Sequence, residues 1–159
     1  MAKKQTKPGQ PTIENRRARF DYEISDTLEV GIALTGAEVK SVRDSQVSLA
    51  EGYVRVQTTP PGLFLHGVTI ADYGPASDRR QKSDRTRVLL AHKREVLKLI
   101  RQVDQKGMTI VPLRLYFKGA WAKLLIGVGK GRTRHDKRRA IGDRETKRDI
   151  DRVMSRRAG

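Results

Sequence analysis

From Arg19 to Ile24 apolar and polar residues alternate, the period of a half-buried strand. Leu28–Leu34 alternates again, and Asp26-Thr27 between the two segments predicts a hairpin turn. At Thr35-Gly36 the period changes. Ala37–Arg43 predicts a short helix capped by Thr35, with Val39 and Val42 inward and Lys40 and Arg43 outward. Strand signals resume at Tyr53–Gln57, Leu63–His66 and Val68–Ile70. A second helix is predicted over about His92–Lys106, with Val96, Ile100 and Val103 on one face and Gly107 as its stop. Met108–Phe117 and Ala120–Val128 predict the strongest hairpin, turning through Lys118-Gly119, with Pro112 at an edge or a bulge. Six or so antiparallel strands and two short helices make a mainly β domain. Short strands interrupted by Gly31, Gly127 and Gly129 suit the bends of a small closed or partly open barrel better than a sandwich.

Charge changes the picture at the ends. The chain has 159 residues and a formal charge of +16. Residues 1–19 carry +5 and residues 130–159 carry +7, whereas the 110 residues between them carry +4. An ordinary folded body with two basic extensions points to a polyanionic partner, nucleic acid before membrane. The segment from 130 onward has six scattered apolar residues, too few to offset the entropy of ordering it alone. It is not hostile to helix, since Glu145 with Arg148 and Asp149 with Arg152 are spaced three apart, and Ile150, Val153 and Met154 share a face. The expectation is a tail over 131–159 that is disordered when free and helical against a partner. Residues 1–12 read as a flexible basic arm, and 13–130 as the body.

Little in the sequence supports chemistry. There is no Cys, which removes disulfides, thiolate nucleophiles and Cys-ligated zinc. His66, His92 and His135 have no metal-ligand spacing, and Gly127-Val-Gly-Lys-Gly131 lacks the spacer and the Ser/Thr of a nucleotide-binding loop. A nuclease built on His135, Asp136 and Lys137 would place its acid, base and phosphate clamp in the segment least able to hold geometry. Neither catalytic residues nor a metal or other cofactor is expected. No signal peptide and no spanning apolar run is visible, so a cytoplasmic protein is expected. Phe20, Tyr53, Phe64, Tyr116 and Phe117 read as core, and Trp121 and His135 as stacking candidates. So few aromatics favour a structured RNA over a single strand bound base by base.

Several ordered motifs resemble the SsrA-binding protein family. They are Asn15–Arg19 followed by Asp21–Ile24, Glu29–Ser41, Arg85–Arg87, Leu89-Leu90, Val111–Leu113, Leu115–Lys118, and Gly127–Gly131 leading into His135–Arg138. The resemblance spans Thr12 to Arg138. It implies an oligonucleotide-binding (OB)-like barrel with two or three flanking helices, which grips the tRNA-like domain of tmRNA and carries it to stalled ribosomes for trans-translation. It implies a tmRNA surface drawn from Asn15, Arg17, Arg19, Glu29, Lys40, Arg85, Arg87, Leu90, Lys123 and Lys130. Asn15 and Lys123 would meet phosphate or sugar, Leu90 would pack under an unstacked base, and Glu29 would accept from RNA donors or brace a neighbouring cation. It implies a tail whose Arg132, Arg134, His135, Asp136, Lys137 and Arg138 meet small-subunit RNA, sensing the empty decoding site and mRNA channel. Elongation factor Tu would join through alanylated tmRNA, with one copy of the chain per tmRNA and no membrane. Asp84, Val88, Ala91 and Gly129 depart from the family pattern. A basic ribosomal structural or assembly protein is the alternative with the same charge pattern.

Overall fold

The computed structural model describes residues 10–73 and 82–157, without the side chains at 134–136, 140 and 157. Among these, nine strands and four helices follow in the order β1 (Ile13–Glu14), α1 (Arg16–Asp21), β2 (Tyr22–Ile32), α2 (Gly36–Arg43), β3 (Val47–Ser48), β4 (Tyr53–Gln57), β5 (Gly62–His66), β6 (Thr69–Ile70), β7 (Arg87–Leu90), α3 (Lys93–Val103), β8 (Met108–Lys118), β9 (Trp121–Gly131) and α4 (Arg134–Arg157). Seven strands pair in the order β1-β8-β4-β5-β7-β2-β9, and β9 also pairs with β8; β3 and β6 form a separate two-stranded ladder. The pairing order therefore returns on itself.

Alternation along each strand selects the enclosed face. Val30, Leu65, Ile110, Leu115, Leu124 and Ile126 are buried inside, with Val96 and Leu99 of α3 packed against them. The hairpin β8–β9 is as expected, turning tightly between Lys118 and Trp121, where Gly119 takes φ +61°. Pro112 sits at a bulge: it lies opposite Ile126, while Arg114 already lies opposite Leu125. Thr35 caps α2 by accepting from the Glu38 amide at 3.3 Å.

Two expectations are corrected. First, Arg19 does not begin a strand: residues 16–21 are helical, because Asn15 caps them by accepting from the Ala18 amide, and Ala18 packs on Val111 and Leu113. Second, Asp26-Thr27 is not a turn. β2 runs through it, both halves pairing with β9, and the mismatch is absorbed as a bulge at Ser25. Asp-Thr lacks the residues that tolerate the positive φ of a two-residue hairpin, so one bulged strand forms instead. In the tail, residues 134–157 form α4. Once Lys137 N–H has bonded the Thr133 carbonyl, nothing within the segment interrupts the helix, and Asp149 pairs with Arg152 at 4.0 Å.

The bulge makes Gly129 a close-approach position. A Cβ there would stand 2.6 Å from the Glu23 carbonyl oxygen, which belongs to the backbone and cannot swing away. Gly129→Ala should therefore destabilise the chain by about 1–3 kcal/mol, measured as a lower midpoint in urea unfolding. An unchanged midpoint would mean that β2 relaxes freely around its bulge.

Candidate RNA interface

Strand pairing brings four outward positions into one row. Gly31 of β2 lies opposite Leu90 of β7 on one side and Lys123 of β9 on the other, and Lys123 lies opposite Tyr116 of β8. Their chain neighbours Val30, Leu89, Leu124 and Leu115 are in the core, so the alternation turns the row outward. Gly31 leaves the middle of the row low, since even a Cβ would stand 3.2 Å from that of Leu90. The result is an open groove of about 370 Å³ lined by Gly31, Leu34, Val39, Leu90, Trp121 and Lys123, among others. Leu90 is 59 % and Trp121 75 % exposed, and large apolar side chains left in water beside a cation mark a contact surface.

Glu29 shares this face, two residues before Gly31. It accepts hydrogen bonds from the Tyr116 hydroxyl and from Lys118 Nζ. Burial pushes the Glu29 carboxyl up, but the bonds from Lys118 and Tyr116 and the charges of Lys118 and Lys123 outweigh it, holding the group below the ordinary carboxylate range. Burial and the Glu29 anion both push the Tyr116 hydroxyl up. Glu29 thus stays ionised and braces Lys118, one of the two roles expected of it. Tyr116 was expected in the core and is not there. The signal was present in the alternation, since Leu115 and Phe117 inward force Tyr116 and Lys118 outward. Tyr53 likewise stands outside, stacked on His66 at 5.3 Å between ring centroids.

The other expected residues are spread around the body. Lys40 is exposed on α2 next to Val39, with its ammonium 5.3 Å from the centre of the Tyr73 ring. Arg17 and Arg19 are exposed on α1. Lys130 is exposed at the far end of β9, about 23 Å of strand from Lys123. Arg85 is half-buried and paired with Glu38. Val88, one of the departures from the family pattern, is 46 % exposed and faces the same way as Leu90.

Two residues expected at the RNA surface are buried. Arg87 is 1 % exposed, and its guanidinium is spent on Glu38 and on the carbonyls of Val68, Ser83 and Arg85. Asn15 is buried, and its amide donates to the Leu49 and Pro112 carbonyls while its oxygen caps α1. Burial keeps both away from an RNA backbone at the surface.

At the root of the tail, the Arg132 amide donates to the Asp21 carbonyl at 2.8 Å. Lys137 pairs with the Asp21 carboxylate at 3.2 Å and lies 5.9 Å from the centre of the Phe20 ring. Arg138 is exposed. The side chains of Arg134, His135 and Asp136 lie outside the described residues, as do residues 1–9 and most of the polar connection at 74–87.

Comparison with known proteins agrees in direction. The model of the SmpB protein family matches residues 12–156. The chain is 48 % identical over 144 residues to an SsrA-binding protein of Microcystis aeruginosa, covering 90 % of this chain and 92 % of the relative. It is 42 % identical over 154 residues to an SsrA-binding protein of Staphylococcus haemolyticus, covering 97 % of each. Among solved structures it resembles a chain of "tmRNA-SmpB: a journey to the center of the bacterial ribosome", with a TM-score of 0.66, 42 % identity, and 82 % and 94 % of the two chains covered.

Proposed function

The chain belongs to the SmpB family, and from that membership we propose a division of labour between its body and its tail. It binds tmRNA and delivers it to the ribosome in trans-translation. In our reading the returning strand order is an OB-like barrel, and the barrel grips the tRNA-like domain of tmRNA through the Leu90–Gly31–Lys123 row. That row carries the proposal: an apolar groove floored by glycine admits an unstacked base against Leu90, while Lys123 meets the phosphate beside it. Glu29 holds Lys118 at the same edge. Lys40, Arg85, Arg17, Arg19 and Lys130 supply further phosphate contacts, and Arg87 and Asn15 act from below by fixing β7 and α1. The tail, from Arg132 through Arg134, His135, Asp136, Lys137 and Arg138 onward, enters the empty decoding site and mRNA channel against small-subunit RNA. Elongation factor Tu joins through the alanylated tmRNA, with one copy of the chain per tmRNA, in the cytoplasm.

Direct titration of tmRNA tests the row. Leu90→Asp places a carboxylate against the RNA and should weaken binding by tenfold or more, in line with the ~1–2 kcal/mol of a central contact. Lys123→Ala should weaken it less and make the dependence of log affinity on log salt shallower by about 0.7–0.9. Wild-type affinity in both variants would move the interface elsewhere.

A further inference from the structure

The proposed tmRNA row is crossed by one carboxylate. Glu29 stands on β2 and the groups that hold it stand on β8, with β9 between them. Two strand spacings, about 10 Å, separate β2 from β8, so the Glu29 side chain reaches over β9. In register it lies opposite Leu125, and the next outward residue of β9 is Lys123, opposite Gly31. The carboxylate therefore lies beside the cation that meets the phosphate in the proposed interface.

Two donors decide where it rests. Lys118 Nζ donates to Glu29 Oε1 and the Tyr116 hydroxyl donates to Oε2, so each oxygen has a donor from β8. Lys118 and Glu29 are both long and half-buried, and such a pair alone does not hold one geometry against water. Tyr116 is different. Its side chain has few rotatable bonds, and its chain neighbours Leu115 and Phe117 are anchored in the core. It is the rigid member of the three.

Lys123 has no ion pair among those found in the described residues. Its charge nevertheless acts on Glu29, together with that of Lys118. Arg114, the remaining cation on this face of β8, is taken by Glu14 at 3.0 Å. The acid beside Lys123 is thus turned toward β8, and the ammonium is left unneutralised.

We infer that Tyr116 is a positioning residue for tmRNA binding: its hydroxyl holds the Glu29 carboxylate on the β8 side of the row and so leaves the Lys123 ammonium free for an RNA phosphate. The inference rests on the reading that the Leu90–Gly31–Lys123 row meets tmRNA. Without the hydroxyl, Lys118 alone competes with Lys123 for the carboxylate. A carboxylate that has swung onto Lys123 must be displaced by each incoming phosphate. Tyr116 acts through Glu29 and Lys123 and needs no RNA contact of its own.

The test is a set of double-mutant cycles on the full chain, read by direct titration of tmRNA. Y116F keeps the ring and removes the hydroxyl, so its melting midpoint should stay within about 5 °C of the wild type. Its tmRNA affinity should fall about fivefold at 0.1 M salt, with a salt slope shallower by about 0.7–0.9, the loss of one phosphate contact. In a K123A background the same substitution should cost less than about twofold, because the released carboxylate has no ammonium to capture. In an E29Q background it should again cost less than about twofold, because no carboxylate is left to misplace. A lost packing contact, or a lost RNA contact of Tyr116 itself, persists in both backgrounds. Wild-type affinity in Y116F would overturn the inference, and so would a loss that survives in full beside K123A or E29Q. A chain in which Leu90→Asp and K123A both leave tmRNA affinity unchanged would instead sink the reading of the row.

Discussion

Removing residues 132–159 should leave tmRNA affinity within about twofold of the intact chain and abolish peptide tagging on stalled ribosomes. The tail helix is joined to the body by few ties: the Arg132 amide on the Asp21 carbonyl, Lys137 on the Asp21 carboxylate, and the Lys137 ammonium over Phe20. Ile141, Ile150, Val153 and Met154 are 43 %, 56 %, 53 % and 63 % exposed, so no part of the core is uncovered when the helix goes. Asp21 keeps a partner in Arg17 at 3.3 Å. The groove around Gly31 is lined by residues of β2, β7, β9, α2 and the segments joining them, none of them in the tail, and loses nothing. A 24-residue helix reaches about 36 Å from its root, long enough to probe a channel. In the proposed reading, a channel already filled with mRNA would exclude it, and the tail would thereby separate stalled from translating ribosomes. Gel-shift affinity and a tagging assay on the same truncated chain check this. A parallel loss of both would mean that the tail also grips tmRNA.

Much of this body could be read from the chain, and the misreadings share a cause. Strict alternation located β4, β5, β8 and β9, and the change of period at Thr35 located α2, because local spacing decides which side of a strand or helix can be buried. Asp26-Thr27 misled because a pause in alternation has two physical outcomes, a turn or a bulge. The choice depends on whether β9 is long enough to pair with both halves, which is a tertiary fact. α1 misled for a similar reason. Its residues alternate, but the Asn15 cap and the burial of Ala18 against Val111 and Leu113 outweigh the pattern. Leu90, Lys123 and Glu29 are expected from the resemblance, and strand pairing brings them onto one face, with Gly31 between two of them. Arg87 could not be told from a surface arginine, because its partner Glu38 lies 49 residues away. An arginine buried with its acceptors leaves no local mark in a sequence.

That burial sets up the largest stability effect expected in the chain. Arg87 is buried with Glu38 and three carbonyls around it, and Glu38 also takes Arg85 and the Thr35 hydroxyl. Burial pushes the Glu38 carboxyl up, yet the bonds and charges of Arg87 and Arg85 overcome it and hold the group below its usual range. Removing either partner leaves an uncompensated polar group in a buried site. Arg87→Ala or Glu38→Gln should cost about 3–5 kcal/mol, a large share of the roughly 5–15 kcal/mol that holds a domain together. Thermal unfolding should show a loss on the order of 10–20 °C. Glu38→Leu combined with Arg87→Met should recover only part of this, because the Val68, Ser83 and Arg85 carbonyls lose their donor whichever side chain replaces Arg87. The pH dependence gives a second handle. Because the folded carboxyl is depressed, the pair stabilises the chain above the ordinary glutamate value of 4.5 and loses that contribution as pH falls through the lower folded value. Glu38→Gln should therefore unfold more easily at pH 7 and show a flatter fall in stability below pH 4.5 than the wild type. The same network fixes the start of β7, one residue from Val88 and three from Leu90, so tmRNA affinity should fall with it even at temperatures where the variant is still folded. A Glu38→Gln chain that melts like the wild type at pH 7 would show that the buried pair is solvated and that Arg87 is free to turn outward.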